Sequence, residues 1–425
     1  MDALYSLFLS CNGICTDTRK ITKDCLFVCL VGPNFDANTL AQKAIDGGAK
    51  AVIIDNPGYS DVVNSHLVPD ALKFLQDLAH HHRKQFTLPV IGITGSNGKT
   101  TSKELIHAVL STEKNVLATT GNLNNHIGVP LTLLRIKSSH DIAIIEMGAN
   151  KFKDIAELCA IAKPTIGIIT NIGKAHLEGF KNFEGVLKTK KELFDSIEET
   201  KGQIVVNQDD KVLTDILPKE IATLSYSKTK HSDIVGELVK LSPFVEFEFS
   251  NESYTSPTLK TNLVGEYNFY NFLAAVTFGK FFKISNQNIC RAIEEYQPTN
   301  NRSQVTKTPN NTLIVDCYNA NPSSMYSALK SFDLVENDKK IAILGDMREL
   351  GADEKIEHQK IIEQNQQSGI KTLYVGEVFS ALSKELSYTN VESLIEEIKV
   401  RPLKGSLILL KGSRSIALEK LLPYL

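Results

Sequence analysis

The chain has 425 residues, too many for one ordinary hydrophobic core, so two or three domains are expected. Hydrophobic residues make up 42% and charged residues 23%, a globular composition that excludes a disordered or coiled-coil protein. Lys and Arg number 47 against 49 Asp and Glu, and the net charge of −2 excludes a general nucleic-acid or membrane-surface binder, so an anionic ligand needs a local positive site.

The opening MDALYSLFLS has no basic stretch ahead of its apolar residues, which predicts no secretory leader, and no apolar run approaches a membrane span of about 20 residues. Seven cysteines include no CxxC pair. Cys11, Cys15, Cys25 and Cys29 lie close together, but their spacing is not that of a zinc finger or ribbon. Cys25 and Cys29 flank Leu26-Phe27-Val28, a buried-strand pattern, so reduced core thiols and a reducing, cytoplasmic setting are expected.

In chain order, residues 1–86 read as a small α/β unit with strands over 26–32 and 51–55 and a helical stretch AQKAIDGGA between them. A helix from about Asp70 to Arg83 leads to Leu88-Pro89, a boundary signal. Its His80-His81-His82 reads as the polar end of a helix rather than a metal site. Residues 87–300 form the second predicted unit. Its strands fall at 90–93, 141–148, 165–173 and 202–207, with helices over 101–112 and 184–198 among them. Continuously hydrophobic strands alternating with helices predict a parallel, doubly wound sheet. The pattern restarts over 301–425, with strands at 312–318, 339–347, 372–376 and 406–413. That unit is Rossmann-like in type but carries no GxGxxG, so dinucleotide binding is not implied.

The strongest local motif is GITGSNGKTTSKELI, residues 92–106, between a strand and a helix, where a phosphate loop belongs. Gly95, Ser96, Asn97 and Gly98 supply a backbone that turns its N–H groups toward phosphate, and the following helix adds its dipole. Lys99 is the expected neutraliser of phosphate charge, with Thr100 or Thr101 toward Mg²⁺. The strict phosphate-loop pattern has a glycine six residues before the lysine; here Ile93 stands there, so the loop is the shorter GxxGKT form. Glu146 ends a buried strand, where open α/β sheets hold ligands, and its oxygens suit a hard cation.

This loop resembles that of the Mur ligases and folylpolyglutamate synthetases, and the resemblance runs on in order through nearly the whole chain. TTGNLNNHIGVPLTLL (119–134) resembles the substrate-side segment, IIEMGAN (144–150) the metal-binding strand end, NIGKAHLEGF (171–180) the histidine segment and VLKTKKELF (186–194) the modified-lysine helix. LVGEYNFYNFLAA (263–275) resembles the nucleotide-side segment, with Tyr267 where a histidine is usual. DCYNANPSSM (316–325), LGDMREL (344–350) and LKGSR (410–414) resemble the C-terminal domain of the branch that adds D-alanyl-D-alanine. CTDTRKITKDCLFVCLVGPNFDAN (15–38) resembles its UDP-binding domain, with FDAN in place of a common Asp-Gly-His.

The resemblance implies three α/β domains: a UDP-substrate domain, a central ATP-binding domain and a C-terminal domain for the amine. It implies ATP, Mg²⁺ at two sites, and a carbamylated lysine at Lys190. Glu146, His176 and Lys190 are then the metal-side residues, and Asn268, Asn271, Arg302 and Asp316 the nucleotide-side ones. Thr18, Arg19, Asn122, Asn124, Asn125, Tyr318, Asn319 and Asn321 face the two substrates, a UDP-N-acetylmuramoyl-tripeptide and the dipeptide. From the residues alone, Lys188, Lys190 and Lys191 are a solvated basic face, and His176 is a weak Mg²⁺ candidate, since imidazole is an uncommon ligand for that ion. A monomer is expected. Alternatives are a sibling ligase adding a diamino acid, a folylpolyglutamate synthetase-like ligase, or a phosphate-loop NTPase switch. The switch reading calls for a strand ending in Asp, whereas this one ends Glu146-Met147-Gly148.

Overall fold

The computed structural model describes every residue except 230, 300, 384 and 385. Residue 300, the last of the expected central unit, thus lies outside the described residues. Leu26, Phe27 and Val28 are buried on both faces, and the strand they form sits inside a four-stranded parallel sheet. Its order is Ile14–Cys15, Leu26–Val28, Ala51–Ile54, Ser65–Leu67. All seven cysteines are free.

Asp70 caps the helix Ala71–Lys84 by accepting from the Lys73 N–H at 2.8 Å, and the helix runs from this unit onto the next. At its end the buried Arg83 donates Nε to Ala162 O (3.1 Å), Nη1 to Phe86 O (2.6 Å), and Nη2 to Leu88 O (3.4 Å) and Lys163 O (3.5 Å). His80 and His82 likewise meet the Ile161 and Ile136 carbonyls at 3.2 and 2.9 Å. His80 and His82 are therefore spent on backbone, and His81 packs edge-on against Tyr5 with ring centroids 4.5 Å apart.

The central sheet has ten strands. Seven are parallel, in the order Val116–Ala118, Ile142–Glu146, Val90–Thr94, Ile166–Ile169, Gln203–Asn207, Ala222–Ser227, Ile234–Lys240. Beyond them lies an antiparallel extension, Glu246–Asn251 with Tyr254–Thr255 and Leu259–Lys260, which the expectation of a parallel sheet did not include. Its signal is the alternation Glu246-Phe247-Glu248-Phe249, a half-buried strand. Phe247 and Phe249 face inward, and Phe247 stacks on Phe272 of the helix Tyr267–Phe281 with centroids 5.2 Å apart.

The third sheet runs Gln304–Lys307, Thr312–Asp316, Leu407–Lys411, Lys340–Gly345, Lys371–Val375, Ser387–Tyr388. Only its first pair is antiparallel. The four strands expected here are all present, three of them trimmed by the turns that carry polar residues and the one expected at 372–376 shifted by one residue to Lys371–Val375. Within the central sheet, Val90–Thr94 is flanked by one strand on each side that continues the chain in opposite directions. Its carboxyl end is thus a switch point, the place where open α/β sheets leave a crevice.

Candidate active site

At that crevice the strand ends in Thr94 and the chain turns through Gly95 (φ +144°) to Gly98 (φ +79°) before the helix Lys99–Leu110. Both glycines are needed for space as well as for backbone angle. A Cβ on Gly95 would fall 2.0 Å from Thr170 Oγ1, and one on Gly98 2.8 Å from Asn271 Oδ1. The loop is held from behind by Asn171, whose O accepts from Ser96 N (2.9 Å) and whose Oδ1 accepts from Asn97 N (3.1 Å). Thr170 Oγ1 donates to Asn97 O at 2.5 Å. No side chain caps the helix, so its first N–H groups stay open to an anion.

Lys99 folds back over the loop, donating Nζ to Gly95 O at 2.6 Å and Ser96 O at 3.3 Å. Burial, with Arg302 adding repulsion, lowers its amine to about 8, against the opposing pull of Glu146. Glu146 is 1% exposed. Its Oε1 accepts from Thr100 Oγ1 (3.2 Å) and Asn124 Nδ2 (2.8 Å), while Oε2 has no hydrogen-bond partner and Lys103 Nζ stands 3.9 Å off. A buried carboxylate oxygen left open beside a phosphate loop fits a divalent cation. Among the described residues no three His, Cys, Asp or Glu side chains form a complete cage.

His176 (φ +51°) lines the same crevice, its Nδ1 in contact with the carboxylate of Glu349 from the third unit. That contact holds the Glu349 carboxyl below its ordinary value. Lys190, on the helix Phe183–Glu199, is 2% exposed, whereas Lys188 and Lys191 on the same helix pair with Glu184 and Asp195. The expected solvated face thus holds for those two but not for Lys190. Its Nζ lies 5.8 Å from the Phe180 ring centre, and among the described residues no carboxylate pairs with it. Burial, reinforced by the charge of Lys99, drives its amine well below the ordinary lysine value.

Asn268 and Asn271 form a buried polar chain. Ser102 Oγ donates to Asn271 Oδ1 (2.9 Å), and Asn271 Nδ2 to Asn268 Oδ1 (2.8 Å). Asn268 Nδ2 then reaches Val264 O (2.7 Å) and Ser303 Oγ (3.3 Å). Tyr267 meets the same Ser303 hydroxyl at 2.9 Å.

From the third unit, Asp316 takes Lys411 Nζ at 2.6 Å. Arg302 lies 3.9 Å over the ring of Tyr318, with its Nε buried and without an acceptor, and Arg414 lies 5.2 Å from the same ring centre. Asn321 caps the helix Pro322–Asp333 and reaches Asn97 Oδ1 of the loop with Nδ2 at 2.8 Å.

These groups share one cleft of about 1150 Å³. It is lined by Ser96, Asn97, Gly98, Lys99, Thr100 and Thr101, by Asn122, Asn124 and Asn125, and by Glu146 and His176. Asn268, Asn271, Arg302, Asp316, Tyr318, Asn319 and Asn321 also line it. Gly95 and Lys190 are not among the residues that line it. Thr18 and Arg19 sit apart, on a short turn of the first sheet where Arg19 pairs with Asp17 at 2.8 Å. Sequence reasoning singled out neither Asn171 nor Glu349, though both stand inside motifs it quoted; their roles depend on contacts that no spacing displays.

The model of the Mur ligase middle domain matches residues 93–279, and that of the Mur ligase glutamate ligase domain matches 301–414. The chain is 33% identical to the UDP-N-acetylmuramoyl-tripeptide–D-alanyl-D-alanine ligase of Bacillus subtilis, over 97% of this chain and 93% of that one. It superposes on a crystal structure of MurF from Acinetobacter baumannii with a TM-score of 0.88 at 28% identity, covering 99% of this chain and 97% of the other. For the MurF ligase of Thermotoga maritima in complex with ADP the TM-score is 0.86 at 25% identity, covering 98% and 97%. Among the described residues no helix is long and apolar enough to cross a membrane.

Proposed function

The chain belongs to the Mur ligase family, and from that premise we propose that it joins D-alanyl-D-alanine to a UDP-N-acetylmuramoyl-tripeptide at the expense of ATP, in the making of peptidoglycan precursors. The observation that carries the reading is the meeting, in one cleft, of a phosphate loop on the central sheet with Arg302, Tyr318 and Asn321 of the third unit. A ligase that activates one substrate and delivers another needs those two walls face to face.

ATP phosphorylates the terminal carboxylate of the tripeptide, giving an acyl phosphate and ADP. The amine of the dipeptide attacks the acyl carbon and loses a proton, and phosphate leaves as the amide forms. Few protein atoms take part covalently, so catalysis rests on placement and charge. The loop 95–98 and the helix N-terminus receive the phosphates. Lys99 exchanges its two carbonyl acceptors for phosphate oxygens. Asn268 and Asn271 fix the nucleotide side, and Arg302 with Asp316 closes over it. Asn122, Asn124 and Asn125 face the tripeptide, Thr18 and Arg19 its UDP end, and Tyr318 and Asn319 the incoming amine.

Residues 1–86, 87–300 and 301–425 are the three corresponding domains. Thr100, Glu146 and His176 suit Mg²⁺, which when bound neutralises phosphate charge. Lys190 is proposed to be a carbamate. Burial favours its neutral amine, which adds to CO₂ and releases one proton, and the resulting anion would support a second Mg²⁺. The proposal takes the protein as a monomer, and nucleotide-linked substrates suit the cytoplasm.

The test is ligation with ATP, the UDP-linked tripeptide and a panel of amines, read by product mass. The dipeptide should be incorporated about tenfold or more faster than diaminopimelate, lysine or glutamate. Preference for a single amino acid would move the chain to a sibling branch. ATP turnover independent of both substrates would remove the ligase reading.

A further inference from the structure

Beyond that reading, and resting on it, one cross-domain contact has its own consequence. His176 reaches the metal side of the cleft from the central unit, yet its Nδ1 is in contact with a carboxylate from the third unit, that of Glu349. Both residues sit at left-handed backbone angles, φ +51° and +63°, which non-glycine residues adopt only where the surroundings enforce them. The enforcement is visible. Glu178 N donates to Glu349 O at 3.2 Å, and the His176 carbonyl accepts from Gly179 N at 3.0 Å. Gly351 is close enough to the Glu178 backbone that a Cβ there would lie 3.5 Å from its Cα. Two further contacts lock the segment beside it: Lys174 Nζ to Glu357 Oε1 at 3.0 Å, and Lys174 N to Ser323 Oγ at 3.1 Å.

An imidazole offers a metal one nitrogen, and the partner of its other nitrogen fixes the tautomer and the ring plane. With Nδ1 against Glu349, Nε2 is the nitrogen left for the cleft. We propose that Glu349 is the positioning carboxylate for His176, so that the metal site on the central unit is completed only when the third unit is docked. Metal binding and domain docking then share one free energy: whatever favours one favours the other by the same factor.

The experiment uses the full chain, Mn²⁺ as the metal and a non-hydrolysable ATP analogue, with bound Mn²⁺ read by electron paramagnetic resonance. Glu349→Ala should weaken Mn²⁺ binding about tenfold or more. Glu349→Gln keeps an acceptor oxygen for Nδ1–H and should recover most of the loss. The metal-free affinity for the analogue should not change. His176→Ala should weaken Mn²⁺ to the same degree, and adding Glu349→Ala to it should cost nothing more. Unchanged Mn²⁺ affinity in folded Glu349→Ala, or additive losses in the double variant, overturns the inference while the ligase reading stands. Failure of the unaltered protein to bind Mn²⁺ with the analogue overturns both.

Discussion

The two walls of the cleft are built differently. The phosphate-facing part of the central wall is made of backbone: two glycines, an uncapped helix end, and an Asn97 N–H and carbonyl held from behind by Asn171 and Thr170. The facing wall is made of side chains, with Arg302 and Arg414 gathered on Tyr318, Asn321 reaching Asn97, and Glu349 reaching His176. A backbone wall is preorganised, and it is damaged through its glycines or through the charges set upon it. A side-chain wall forms in part through the act of docking, and each of its contacts contributes a modest share.

The largest effect should come from the lysine of the phosphate loop on the central wall. Lys99→Ala should lower the ligation rate about 100-fold or more while circular dichroism and thermal unfolding stay as in the unaltered protein. Near-normal turnover would show that the loop does not hold the reacting phosphates. Next, Lys190→Ala, or assay in buffer stripped of CO₂ and bicarbonate, should cut the rate roughly tenfold or more. Nucleotide affinity should change little, and bicarbonate should rescue only the unaltered protein. A Lys190→Ala protein as active as its parent would return that lysine to a structural role.

A smaller effect separates the walls by pH. In the free protein the Lys99 amine is lowered to about 8, and phosphate binding raises it again. Binding therefore takes up a proton above that pH, and nucleotide affinity should fall as pH rises from about 8 toward 9.5, by at most about tenfold per unit. Titration of a fluorescent nucleotide across that range checks the sign; affinity that rises with pH would mean that Lys99 does not meet the phosphates. The smallest effect belongs to the side-chain wall. Tyr318→Leu removes the ring under two guanidinium groups and should cost about 1 kcal/mol, roughly fivefold, in KM for the amine, with KM for ATP nearly unchanged. A large change in ATP binding instead would make Tyr318 part of the nucleotide wall.

The same contrast explains what the sequence made legible. The phosphate loop was readable because its chemistry is local: Gly95, Gly98 and Lys99 fall within five consecutive residues, between a strand and a helix. The parallel sheet strands were readable as continuous apolar runs. The antiparallel extension at 246–260 was missed although Glu246 to Phe249 alternate, because the βα rhythm before it dominated the reading. Lys190 cannot be told from Lys188 by text, since only the fold decides which turn of the helix is covered. The pairing of His176 with Glu349 joins positions far apart in the chain, and no local pattern encodes it.

Arg83 has a consequence of another kind. Its guanidinium has no carboxylate partner among the described residues and four backbone carbonyls, two of them on the central unit and two on the connecting segment. A linker pinned in this way is a strut, and the first unit becomes a fixed arm. On the proposed reading, the span from the turn at Thr18 and Arg19 to the phosphate loop is then a gauge with a set length. A precursor one residue shorter, carrying the same nucleotide, would anchor equally well and leave its carboxylate short of the phosphate.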